Sequence, residues 1–433
     1  MLSILCYLVI VGTIIAVMLV RPHRSLPTAV AMSVVVQVLV PSFYAPSQLQ
    51  LISCVAGAAT LIIGLARSGA RLSALVIPGA LTVYLAVIWF GMIRDNSLDS
   101  AILGIATIGF LILLAISARQ LGVEGLRILL FALCVSVLVQ LLFATAEQVG
   151  LVDSFWARTG ASNYIENRRN HVFVNLAGRS IGTLGQPIPL GIFASFTLVA
   201  LLACRRIFAH RLRLWWLSIA AAAVLLCLSG TRSAIIAALV GVLILAAAWF
   251  RLRYLLVYVA ISALALWFLL TNNLGETLGF GASFEQSGSY GHRSLAFIWI
   301  EILLRKNPDE VLFGGGYLVT QRMFASGELP GIGITVFDQE LIKNLAAYGV
   351  IGVAILVIVV IQTAVVGRAP TRAILAVLVT TFFTFDTLSW RIGLVLFVLT
   401  VSGVADQGLS DRPTRNRQLR RRVNANVVRR ATH

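Results

Sequence analysis

The chain has 433 residues, 59% of them hydrophobic and only 12% charged, with a formal net charge of +17. A soluble domain carries about 25% charged residues, so most of this chain cannot face water. Its basic excess does not point to nucleic acid, because much of it crowds into one C-terminal stretch.

Taken in order, about 13 apolar runs are long enough to cross hydrocarbon as helices. They begin near Leu2, Pro27, Leu49, Leu72, Leu98, Leu126, Ile188, Leu214, Ser233, Tyr254, Leu341, Arg372 and Trp390. No strand-like alternation occurs, which argues against a β-barrel. The expected fold is an all-α, polytopic membrane bundle of about 12–13 spans with a large, partly helical outer loop. The first run has no basic region before it and is followed by Arg21 and Arg24, so it reads as a retained span and not a cleaved signal. The five cysteines all fall in or beside spans, which indicates neither a disulfide framework nor a Cys-rich metal site.

The connections alternate in basic content. Arg21 and Arg24, Arg67 and Arg71, Arg119 and Arg127, the group from Arg205 to Arg213, Arg251 and Arg253, and Arg368 and Arg372 fall on one side. The alternate short connections carry at most one arginine each. The arginine-rich side is read as cytoplasmic, with the N-terminus outside and the C-terminus inside. Residues 1–404 then form the transmembrane domain, with outer loops at 151–187 and 271–338. Residues 405–433 form a basic, disordered cytoplasmic tail drawn to anionic lipid.

Several residues on the outer side invite a chemical reading. Arg232 sits in "LSGTRSAIIAAL", where two apolar runs meet, and reads either as an anchor that snorkels to headgroups or as an anion-binding group. Arg179, in "GRSIGTLGQPIP", carries the same two readings. Arg293 opens an amphipathic stretch with apolar residues at Phe297, Ile300 and Leu304, where a cation opposes the helix dipole and reads either as a surface residue of that stretch or as a group that holds an anion. Glu301 and Arg305 lie four apart, as in a surface helical pair. The run "VLFGGGY" offers free backbone N–H groups around Gly315, followed by Tyr317. Asp338 precedes the next apolar run and is either its N-cap or a proton acceptor for an incoming hydroxyl. Lys343, one turn further, reads as locally paired or as a phosphate contact, and Asp386 with Arg391 as a local ion pair. His171 and His292 lie far apart in the outer loops and read as surface groups. No Walker-type loop, no Asp-x-Asp pair and no metal-ligand spacing is present, so neither a nucleotide nor a metal cofactor is expected.

Together these stretches resemble the O-antigen ligase and polymerase family of bacterial membrane glycosyltransferases. The match runs in order from Arg179 to about Gly352, through "GRSIGTLGQPIPLGIF", "LSGTRSAIIAAL", "RSLAFIWIEILLRKNPDEVLFGGGY" and "FDQELIKNLAAYGVIGVAIL". The resemblance implies a polyprenyl-pyrophosphate-linked oligosaccharide donor, used without cofactor in a bacterial cytoplasmic membrane, with the site on the outer face. It assigns Arg232 and Arg293 to the pyrophosphate and Arg179 to the donor or acceptor. Asp338 takes the place of the base, with Lys343, Gly315 and Tyr317 as further substrate contacts and chain-length or export proteins as partners. Ligases of the family carry a His-Asn pair where this chain has Asp338-Gln339, which favours a polymerase over a ligase. A lipid-linked oligosaccharide flippase is the reading from another class. Most spans are nearly free of charge at their centres, which favours chemistry at an interface over alternating access.

Overall fold

The computed structural model describes residues 2–41, 45–69, 78–95, 98–152, 170, 178–249, 295, 298–329, 337 and 339–409. Among these residues all regular structure is helical. In hydrocarbon each backbone N–H and C=O must find a partner inside the chain, and a helix supplies one locally.

The first six helices are α1 (Leu2–Leu19), α2 (Pro22–Leu39), α3 (Ser47–Ser68), α4 (Gly79–Ile93), α5 (Leu98–Arg119) and α6 (Gly122–Gln148). Then come α7 (Pro187–Ala203), α8 (Leu212–Ser229) and α9 (Arg232–Trp249). Two short helices, α10 (Pro308–Phe313) and α11 (Val319–Ala325), lead to α12 (Glu340–Val366), α13 (Ala369–Phe382) and α14 (Arg391–Val401). Twelve of the expected runs thus coincide with helices, and the run near Tyr254 lies outside the described residues. Six helices (α3, α5, α6, α8, α9 and α12) are long and apolar enough to cross a bilayer. Helices α4, α7 and α13 are apolar but shorter.

Local signals set several boundaries. Proline opens α2 and α7 at positions where no intrahelical N–H is needed. Helix α8 stops at Gly230, whose φ of 58° is a left-handed cap. Small residues then let helices approach closely. A Cβ on Gly241 of α9 would lie 2.8 Å from Val377 of α13 and 2.9 Å from Val199 of α7. The outward faces stay apolar, as with Val357, Ile358, Ile361 and Val365 of α12, and suit contact with lipid chains.

Contacts between connections sort the helix ends into two groups. At one end Arg24 pairs with Glu124 at 2.9 Å, and the Arg67 guanidinium donates to the Val20 carbonyl at 3.0 Å. Gln407 donates to Ala118 O at 2.9 Å, and Asp406 accepts the Arg368 N–H at 2.8 Å. The expected arginine-rich connections that are described gather here. At the other end Thr183 donates to Val38 O, and Leu388 N–H donates to Glu340. This second end holds the candidate residues.

One boundary moves. The expected tail begins at 405, yet Val404–Leu409 form a 3-10 turn in which Ala405 is buried and Asp406 caps the start of α13. Regular structure therefore continues to Leu409 among the described residues. Residues 410–433 lie outside the described residues.

Candidate functional site

The turn between α8 and α9 is held from three sides. A helix leaves its last carbonyls without partners, and a buried helix end must find them elsewhere. For α8, Asn170 donates to Cys227 O at 3.1 Å and Ser180 N–H donates to Leu228 O at 3.0 Å. Arg179 donates from Nε to Ser229 O at 2.9 Å, and its terminal nitrogen reaches Thr231 Oγ1 at 2.8 Å. The segment carrying Arg179 is itself anchored on α6. Glu147 accepts the Ile181 and Gly182 N–H groups at 2.9 and 3.1 Å, and Gln148 donates to Gly178 O and Ser180 Oγ. Arg179 and Arg232, far apart in sequence, thus meet at one turn with Thr231 between them. Arg179 closes the turn, and Arg232 opens α9 with its side chain half-buried.

A second group forms where α12 starts. Lys343 Nζ lies 3.1 Å from Asp386 and 5.4 Å from the centre of the Tyr317 ring. Burial pushes the Asp386 carboxyl above its usual range, against the pull of the Lys343 ammonium. The expected pair of Asp386 with Arg391 does not form. Arg391 lies across the Thr387–Ser389 turn and points into the bundle, where it donates to Ser53 Oγ and Gln50 Oε1, each at 3.0 Å. Behind Lys343 runs a chain absent from the sequence reading. Glu340 accepts Leu388 N–H at 2.6 Å and an Asn344 N–H at 2.5 Å, and Tyr84 OH donates to Asn344 Oδ1 at 2.9 Å. The signal that was available is the spacing of Glu340 and Asn344, one turn apart on one face of an apolar run.

The glycine turn at 314–316 answers a need of the fold. Helix α12 breaks at Gly349 (φ 69°, ψ −170°), so the Ala346 and Ala347 carbonyls lose their helical donors. Gly315 N–H fills the first at 2.8 Å and Gly316 N–H the second at 3.1 Å. Tyr317 N–H goes to Gly91 O at 3.0 Å, and Leu318 N–H to Asp95 at 2.9 Å. The expectation that these N–H groups stand open to an anion is therefore corrected, for Gly315 among them. Tyr317 stays in the group through its ring. Asp95 is only 1% exposed in its side chain; burial raises its carboxyl, with Leu318 N–H and Arg322 acting against the rise.

The amphipathic stretch also turns differently from its apolar pattern. In residues 298–304 Trp299 and Leu303 are buried, with Trp299 packed edge-to-face against Phe324 of α11 at 5.8 Å between ring centres, while Leu304 is exposed. The expected Glu301–Arg305 pair is present. Asp338, Arg293, Phe297, His171 and His292 lie outside the described residues. At this end the described residues therefore place a half-buried guanidinium at a helix start and, separately, a largely enclosed ammonium–carboxylate pair beside a phenol ring. A guanidinium is a side chain able to pair with an anion through two parallel hydrogen bonds. No protein-family model matches the chain, and no curated protein matches it either.

Proposed function

We propose that the chain is an extracytoplasmic polysaccharide polymerase of the O-antigen ligase and polymerase type, in a bacterial cytoplasmic membrane. The acceptor is a lipid-linked saccharide. Its hydroxyl attacks the anomeric carbon of the growing glycan, the bond from that carbon to the pyrophosphate oxygen breaks, and the proton passes to the Asp338 carboxylate. The polyprenyl pyrophosphate leaves with the negative charge, which Arg232 and Arg293 stabilise. The observation that carries the reading is the Arg179 clamp, which fixes the start of α9, and with it Arg232, at the end of the bundle where Lys343 and Tyr317 also lie.

The test uses the purified protein in lipid with a polyprenyl-pyrophosphate oligosaccharide from its host and no nucleotide. A product ladder is expected, with Arg232→Ala lowering yield by about a hundredfold or more, the usual effect of removing one transition-state donor. A single transfer to another acceptor would make it a ligase. Unchanged yield and length in Arg232→Ala and Arg293→Ala would overturn the mechanism. The break in α12 at Gly349 favours a second reading, since broken spans recur in transporters. Transfer of the intact donor across the bilayer, with no elongated product, would establish a flippase.

A further inference from the structure

The connection between α7 and α8 carries Arg205, Arg206, His210, Arg211 and Arg213, all exposed. The sequence has no Asp or Glu between positions 167 and 275. None of these four arginines takes part in an ion pair among the described residues. Asp406, at the same end, is already bonded to the Arg368 N–H.

The connection is nevertheless built. Arg205–Phe208 form a 3-10 turn with Phe208 buried, and Arg211 N–H closes it on Phe208 O at 2.8 Å. The Arg205 guanidinium stands 5.5 Å from the ring centre of Trp215, which is itself fixed by a bond from Nε1 to Leu201 O at 2.9 Å. Arg211 stands 5.9 Å from the Phe131 ring of α6. A shallow, open surface cavity of about 440 Å³ lies here, lined by His210, Arg211 and Arg213 with Ala209, Leu212 and Leu214. One helical turn on from Leu212 is Trp216, 60% exposed, so an apolar strip leads from the cavity along α8.

We propose that this cavity is a headgroup site for an anionic phospholipid. Its phosphodiester would lie against Arg211 and Arg213, and an acyl chain would follow Leu212 and Trp216. Three features point to lipid and not to free phosphate: cations held by aromatic rings, an apolar strip that starts at the cavity, and a place at the basic end of the bundle. The proposal is independent of any glycan chemistry at the other end.

The full-length protein in detergent, offered phosphatidylglycerol and phosphatidylcholine together, should retain phosphatidylglycerol preferentially in native mass spectrometry. Arg211→Gln with Arg213→Gln should weaken that retention by about tenfold or more. The two lysine replacements should keep it. Arg420→Gln, Arg421→Gln and Arg422→Gln in the tail should leave this lipid bound. If the double variant unfolds, Arg213→Gln alone gives the same comparison at smaller amplitude. Equal retention of the two lipids, retention untouched by the loop variants, or displacement of the lipid by excess inorganic phosphate would each overturn the proposal.

Discussion

At Arg179 a guanidinium closes the last turn of α8, and Arg232 begins the next helix one residue beyond the bond to Thr231. The Lys343–Asp386 pair is a different case, because both side chains are largely enclosed (13% and 11% exposed). Removing one member of a buried pair strands a charge, whereas replacing both with apolar groups of similar size leaves little to compensate. Lys343→Met is therefore expected to lower stability by about 3 kcal/mol. Lys343→Met with Asp386→Leu should recover most of that loss in thermal unfolding. Simple addition of the two single effects would show that the groups do not act as a pair. The sequence made Arg391 the nearer partner of Asp386, since the two lie five positions apart. The fold selects Lys343 because the start of α12 and the end of α13 meet at one end of the bundle, a juxtaposition invisible to local spacing.

At the level of elements, apolar length located most spans well, since a membrane helix must run through enough hydrocarbon-compatible residues. The break in α12 was not legible in that way. Gly349 sits within an unbroken apolar run, and the partner that satisfies the freed carbonyls comes from the turn after α10. The same blindness made the N–H groups of Gly314–Gly316 look available. Trp299 was likewise missed as the buried residue of its stretch, because its partners Phe324 and Phe337 come from later segments. A Cβ at Gly349 would lie 2.2 Å from Leu312 O, and its φ of 69° with extended ψ disfavours other residues. Gly349→Ala is expected to cost about 3 kcal/mol or more. Gly109→Ala in α5, where a Cβ meets nothing within 4 Å, should stabilise by up to about 1 kcal/mol. Equal effects of the two substitutions on unfolding would contradict the backbone join.

Across the whole molecule, the polar residues divide by end. Groups that brace turns, such as half-buried Glu147 and buried Glu340 and Asn344, gather at one end, and the exposed arginines of the 21–24, 119–127 and 205–213 connections at the other. The alternation of basic connections made this division readable, because helices that cross in turn must return to alternate ends. The turns themselves were not readable, since their bonds link residues many positions apart. The division predicts opposite labelling for cysteines placed at exposed Ser47 and exposed His210, probed with an impermeant maleimide on sealed cells. His210→Cys should react only after permeabilisation and Ser47→Cys before it. Equal reaction from outside would refute the orientation.

The contact between the 314–316 turn and α12 is made by main-chain atoms, Gly315 and Gly316 N–H on Ala346 and Ala347 O. A joint of this kind does not depend on particular side chains of α12, although Arg94, Arg322 and Asp95 brace the turn from its other side. Its vulnerability is concentrated in Gly314 and Gly349, where a Cβ would fall within 2.3 Å of the opposing backbone. Descendants of this sequence are therefore freer to vary the faces of α12 than to vary Arg94, Asp95 and Arg322, which hold the turn. They are bound to keep both glycines or to lose both together with the bend.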